Sequence, residues 1–185
     1  MSSTNFQDIG EFNESFGVDE FSTPQVNIVK ENPKLMEYRL SLITEEYKEL
    51  LDAVKENNFV EIVDALSDIL YVVYGMGRAI GVDLDKAFKL VHKSNMSKLC
   101  KNEDEAKQTV EWYKQKFVSG EQPYDSPCYR KSPNGKYWVV YNKSTSKILK
   151  SIKYRPVTED LKKMCYENDN KKQSESVFED SQSWF

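Results

Sequence analysis

The sequence predicts a mainly α-helical protein, a four-helix-type bundle with a β-hairpin appendage towards its C-terminal end. Three observations lead there. Apolar residues recur at helical spacing after Pro33, the stretch from Phe59 to Ile80 is apolar on nearly every side, and past residue 135 the pattern changes to two short β-prone runs.

Residues 1–33 are polar with scattered aromatics, Phe6, Phe12, Phe16 and Phe21. Phe12 and Phe16 stand one turn apart within Asp8–Phe16, which suits a short docking helix. A long helix is expected just after Pro33, because proline fits the first helical position. Leu40, Ile43, Tyr47, Leu50, Leu51 and Val54 carry its apolar repeat to about Lys55, and Asn57-Asn58 makes the turn. The next helix, about Phe59 to Ile80, is expected to be the central, buried one and to end at Gly81. A third, about Leu84 to Lys93, takes Asp83 as its N-cap.

A charged fourth helix, about Glu103 to Phe117, sets Ala106, Val110, Tyr113 and Phe117 on one face. Pro123, Pro127 and Pro133 mark a loop. Lys136–Tyr141 and Lys147–Tyr154, separated by Asn142–Ser146, are expected to pair as the hairpin. The expected organisation is a docking segment (1–33), a helical core (34–118), an insertion loop with a basic hairpin (119–166) and a polar, disordered tail (167–185).

The 185 residues are 39% apolar and 30% charged, the balance of a soluble globular domain. A net charge of −4 argues against a nucleic-acid surface. Cys100, Cys128 and Cys165 are odd in number and widely spaced, which suits reduced thiols in a cytoplasmic setting rather than a disulfide frame or zinc site. The first residues have neither a basic start nor an apolar core, so no signal peptide is expected. Ile62–Val82 is long enough to span a bilayer but holds Asp64, Asp68 and Arg78, each costing about 2.5–3.5 kcal/mol near its centre. No membrane partner is expected. His92 is the only histidine, and nothing around it suggests a nucleophile–histidine pair.

The carboxylates of the two long helices are the strongest chemical signal. At about 100° per residue the core face of the first helix centres on Ile43, Leu50 and Val54. Glu45, Lys48, Asp52, Lys55 and Glu56 fall on the solvent side, whereas Glu46 and Glu49 share a marginal stripe with Leu42 and Ala53. On the second helix Glu61, Asp64 and Asp68 lie at i, i+3 and i+7, one narrow line, continued by Tyr71, Gly75 and Arg78. Acids on an otherwise apolar helix must protonate, pair with cations or bind metal. Oxygen donors without Cys or His select a hard ion, Mg2+ or Mn2+. Two such ions could hold a polyphosphate and activate a water for in-line attack on phosphorus. The alternative is structural: Glu-x-x-Glu often marks a solvated face, and the second helix's acids could pair with Lys or Arg from elsewhere in the chain or from a partner subunit.

At these residues the chain resembles the all-α nucleoside triphosphate pyrophosphatases, the MazG-like and phosphoribosyl-ATP pyrophosphohydrolase-like proteins. Glu46-x-x-Glu49 and Glu61-x-x-Asp64 match the two halves of the signature Glu-x-x-Glu, spacer, Glu-x-x-Asp. Asp64-Ala-Leu-Ser-Asp-Ile-Leu-Tyr-Val-Val-Tyr-Gly75 and the more specific Val91-His-Lys-Ser-Asn-Met-Ser-Lys98 resemble the phosphoribosyl-ATP-like branch. The likeness covers about 8–99 and 147–161, leaving Cys100–Ser146 as an enlarged insertion. It departs at one point. In many relatives the last aspartate directly precedes a Leu-Leu-aromatic run, which is Asp68 here, so the family glutamate falls at Ala65, and Asp64 or Glu61 must substitute.

The resemblance implies a homodimer or homotetramer with sites near subunit contacts. It also implies cleavage of a nucleotide between its α- and β-phosphates, giving a monophosphate and pyrophosphate. Glu46, Glu49, Glu61, Asp64 and Asp68 would hold Mg2+, with Glu46 and Asp68 the candidates for the catalytic carboxylates. Asn95 and Lys98, with Lys93 nearby, would contact sugar or phosphate. Tyr71, Tyr74 and Arg78 admit two readings, a base pocket or ordinary helix core. The basic run Lys147, Lys150, Lys153 and Arg155 could cover a phosphate or form a solvated strand face. The expected function is Mg2+-dependent pyrophosphohydrolysis of standard or damaged (d)NTPs. Phosphoribosyl-ATP hydrolysis and a non-catalytic helical interaction module are the alternatives.

Overall fold

Asparagine side chains set the starts of the long helices. The Asn32 Oδ1 accepts the Leu35 N–H at 3.1 Å ahead of Pro33, opening α3 (Pro33–Lys55). Asn57 turns the chain with φ +53°, and the Asn58 Oδ1 then accepts the Glu61 N–H to open α4 (Phe59–Ala79). Both helices lie where the spacing predicts. A Thr4–Gln7 capping box starts α1 (Asn5–Phe16), longer than the expected docking helix, and a short α2 (Ile28–Glu31) follows. The Asp83 carboxylate accepts the Lys86 N–H at 3.1 Å at the head of α5 (Leu84–Met96). Asn102 does the same for Glu105 at α6 (Glu103–Val118). The computed structural model describes residues 3–166; the predicted disordered tail, 167–185, lies outside them.

By internal packing the chain divides into two compact units, one running to residue 88 and resuming at 160, the other spanning 89–159. In the first unit α3 and α4 fold back on one another, α1 packs on α4 through Ile9 and Asn13, and α2 rests on α3. Arg78 holds the N-terminal segment. Its Nε donates to the Phe6 carbonyl at 2.9 Å, its Nη1 pairs with Glu20 at 3.0 Å, and its guanidinium covers the Phe6 ring at 3.8 Å. Gly81 allows the return strand to pass. Its φ is +71°, and a Cβ there would stand 1.9 Å from the Thr23 carbonyl oxygen.

The expectation that α4 is buried all round is corrected. Within the chain only Ala65, Gly75, Gly77 and Ala79 of this helix are fully buried, while Val60 is 73% and Leu70 55% exposed. Among the described residues α3 and α1 make its main helix contacts and the head of α5 reaches it at Leu84 and Asp85, which leaves part of its apolar circumference uncovered. The core face of α3 shifts correspondingly. Arg39 and Ala53 are buried, Val54 is 56% exposed, and the face meeting α4 follows the stripe Arg39–Glu46–Leu50–Ala53.

The second unit has its own core, Cys100, Ala106, Val110 and Tyr113 beneath Val140 and Leu149. The hairpin is present but its partner strand is not the predicted one. β2 (Trp138–Asn142) pairs antiparallel with β1 (Pro127–Lys131), in the register Pro127↔Asn142 to Lys131↔Trp138. Pro127, expected to break structure, opens β1, a position where its missing N–H is tolerated. Residues 147–154 touch the other edge of β2 at the Tyr141↔Ile148 bridge, where the Asn142 N–H donates to the Lys147 carbonyl and the Leu149 N–H to the Val140 carbonyl. Their next donors are spent on α6. The Lys150 N–H goes to the Tyr113 hydroxyl at 3.2 Å and the Ile152 N–H to the Thr109 hydroxyl at 3.3 Å, so the ladder cannot continue. Among the described residues no helix is long and apolar enough to cross a membrane, and the three cysteines are free.

Candidate active site

The α3–α4 hairpin brings carboxylates from both helices into one electrostatic field. Glu46 is half-buried on α3, and its carboxyl is pushed above the usual glutamate range, first by burial and then by the negative charges of Glu49, Asp68, Glu45 and Asp64. The predicted candidates Glu49, Asp64 and Asp68 therefore each act on Glu46, the last two from across the hairpin. Glu61, one turn before Asp64, is exposed and is not among the groups that raise Glu46. Glu45, expected to face solvent, nevertheless contributes to the field.

No protein cation answers this charge. Among the described residues none of the carboxylates at 46, 49, 61, 64 and 68 makes a hydrogen bond or ion pair, and the nearby Lys55 is turned to Asp52 at 2.6 Å. Nor do three acidic, histidine or cysteine side chains among the described residues stand close enough to grip a metal ion as they are. The donor set still suits a hard divalent ion: oxygen ligands only, excess negative charge, and long glutamate side chains able to swing inward.

One residue escaped the sequence reading. Arg39 is 8% exposed, and its Nε has no hydrogen-bond partner. Its spacing could have found it, since it lies seven residues before Glu46 and so on the same helical stripe.

The other predicted residues are distributed as follows. Tyr71 is 42% exposed, packs edge-on against Phe12 at 5.6 Å, and lines a cavity of about 220 Å³ with Ile9, Leu70 and Tyr74. Arg78 is committed to Phe6 and Glu20 as described above. Lys93, Asn95 and Lys98 belong to the second unit. There the Lys98 Nζ donates to the Asn95 Oδ1 at 2.8 Å, and Lys93 is exposed.

A mainly helical chain with facing acids on a two-helix hairpin defines the class of all-α nucleotide pyrophosphatases. The family described as phosphoribosyl-ATP pyrophosphohydrolase matches residues 10–95, which include all five carboxylates and Asn95. Uncharacterized protein L479 of Acanthamoeba polyphaga mimivirus is 33% identical over 233 residues, covering 80% of this chain and 91% of that protein. The chain belongs to the phosphoribosyl-ATP pyrophosphohydrolase family. Membership implies a pyrophosphohydrolase acting on a nucleotide.

Proposed function

We propose that this protein is a Mg2+-dependent pyrophosphohydrolase that cleaves (d)NTPs between the α- and β-phosphates, releasing (d)NMP and pyrophosphate and clearing unwanted nucleotides from the pool. The observation that carries this reading is the placement of Glu46 and Glu49 on α3 and of Asp64 and Asp68 on α4, two helices packed on one another within the residues the family matches. Glu46, Glu49, Asp64 and Asp68 are the residues that would hold the ions, with Glu61 in reserve. When bound, Mg2+ supplies charge neutralisation for the phosphates and acidifies a coordinated water.

The chain's own part is to orient that water and accept its proton. Glu46 suits this work by position, half-buried on α3 within the field of Asp64 and Asp68 on α4. The water oxygen bonds to the α-phosphorus, the bond from that phosphorus to the bridging oxygen breaks, and pyrophosphate leaves with the electron pair. Asp68, on the facing helix in the same field, is the second candidate for a catalytic carboxylate. Asn95 and Lys98, with Lys93, keep the sugar or phosphate contact that the family resemblance gives them.

The exposed apolar residues of the hairpin, including Leu40, Tyr47 and Leu51 of α3 and Val63, Leu66 and Leu70 of α4, support assembly with a second copy. Two such hairpins together make a four-helix bundle. Purified protein with Mg2+ should release pyrophosphate from at least one nucleotide in a panel of standard and damaged (d)NTPs. Silence across the panel overturns the reading. A second substrate is favoured by the family's description, phosphoribosyl-ATP. Rescue of a histidine auxotroph lacking that step would select it.

A further inference from the structure

We infer that Arg39, seated against Gly75, is an anion-binding subsite that anchors the phosphate chain of the substrate beyond the carboxylate cluster. The inference rests on the nucleotide-hydrolysing reading above and adds a binding residue to that site. A guanidinium is almost never left buried and unpaired, because losing water without gaining an acceptor is costly. Arg39 is 8% exposed, its Nε is shielded with no acceptor, and none of its nitrogens makes a hydrogen bond or ion pair with a described residue. The Tyr38 ring lies 5.8 Å from its Cζ, a weak compensation at that distance.

The place of Arg39 on the hairpin suggests what it awaits. It precedes Glu46 by seven residues on α3, and Gly75 follows Asp68 by seven on α4. At 1.5 Å per residue each pair is about 10 Å apart along its axis, on one helix face. The hairpin therefore carries two layers: Glu46 in the field of Asp64 and Asp68, and, two turns away, Arg39 against Gly75. Ten ångströms is too long for an ion pair between Arg39 and Glu46. It suits a polyphosphate whose reacting phosphorus lies among the carboxylates while a distal phosphoryl group reaches the guanidinium. An arginine fork matches phosphate oxygens two at a time.

Gly75 supports the same reading. It sits in mid-helix, where glycine is normally unfavourable relative to alanine. A Cβ there would lie 3.1 Å from the Arg39 Nη1, so the missing side chain leaves the guanidinium its space.

The test is isothermal titration of the full-length protein with inorganic tripolyphosphate in Mg2+, with melting temperature read in parallel on ligand-free samples. Wild type should bind. Arg39→Met should weaken binding tenfold or more, keep the Mg2+-dependent rise in melting temperature, and melt no lower than wild type without ligand, because an unpaired buried charge has been removed. Arg39→Lys should fall between them, since it keeps charge but loses the fork. Gly75→Ala should also bind tripolyphosphate more weakly while melting at or above the wild-type temperature, so its loss cannot be assigned to unfolding.

Equal tripolyphosphate affinity in wild type and Arg39→Met, or no binding by wild type, overturns the inference. So does an Arg39→Met protein that melts early or dissociates into monomers yet binds normally, which marks a structural arginine. The hydrolytic reading fails separately. If wild type releases no pyrophosphate from any nucleotide but Arg39→Met loses tripolyphosphate affinity, the anion subsite stands and the reaction does not.

Discussion

Asp68 on α4 raises the proton affinity of Glu46 on α3, so the two helices are coupled through like charges where a purely structural hairpin would carry an ion pair. Burial of Glu46 is the larger cause, and Glu49, Glu45 and Asp64 add to it. The hairpin is thus held together against a local repulsion that a bound divalent cation would relieve.

Without metal, the pH dependence of stability carries that signature. The folded protein holds the Glu46 proton to a higher pH than the unfolded chain does. The Glu46 contribution is therefore most favourable at acid pH and is lost as pH rises from the ordinary glutamate value through the raised one. Glu46→Gln should remove this slope and raise the melting temperature at pH 7 in the presence of a chelator. Paired melts between pH 4 and 8 check it, and a lower melting temperature for the variant at pH 7 speaks against the repulsion.

Mg2+ should stabilise the wild type by an amount that follows its affinity, about 2.7 kcal/mol at a hundredfold excess over Kd. Glu49→Gln and Asp68→Asn should abolish the shift. A non-catalytic helical module predicts no shift for any of the proteins.

The same titration tests which acid takes the place of the family glutamate that falls at Ala65. Asp64 is among the main charges that raise Glu46, and Glu61 is not. Asp64→Asn is therefore expected to weaken Mg2+ binding tenfold or more, and Glu61→Gln by less than threefold. Equal losses would return Glu61 to the site.

Leu66 and Leu70 are 48% and 55% exposed on a helix otherwise built for burial. Leu66→Glu should convert the assembled protein to a monomer in light scattering after gel filtration, since an uncompensated carboxylate in an apolar interface is costly. A wild type that is already monomeric refutes the assembly.

Gly81 is a backbone requirement rather than a packing preference. Gly81→Ala forces a left-handed residue and drives a Cβ into the Thr23 carbonyl, which stands 1.9 Å from the ideal position. The expected loss is about 1–3 kcal/mol in urea unfolding, with the N-terminal segment the first to detach.

Local chemistry made much of this protein legible. Proline and asparagine placed the ends of α3 and α4, because capping depends on residues within one turn. Helical phase put Glu46 and Glu49 towards α4 and strung Asp64 and Asp68 along one line, because the angle per residue is fixed by the helix itself. Phase alone could not say how much of each circumference would be covered, and α4 proved half uncovered for want of neighbours.

Three features were decided only by tertiary structure. β1 took one edge of β2, and residues 147–154 stopped after a single bridge on the other because the N–H donors of Lys150 and Ile152 were claimed by Tyr113 and Thr109, residues about forty positions away. Arg78, read from its helix face as a ligand candidate, closed on Phe6 and Glu20. Arg39 stood out in no sequence pattern, and its burial against Gly75 without an acceptor for its Nε showed only in the fold. The sequence alone determined the helices and the line of acids, since both follow from short-range geometry. Which groups found partners, and which one was left without, depended on long-range packing and the desolvation it imposes.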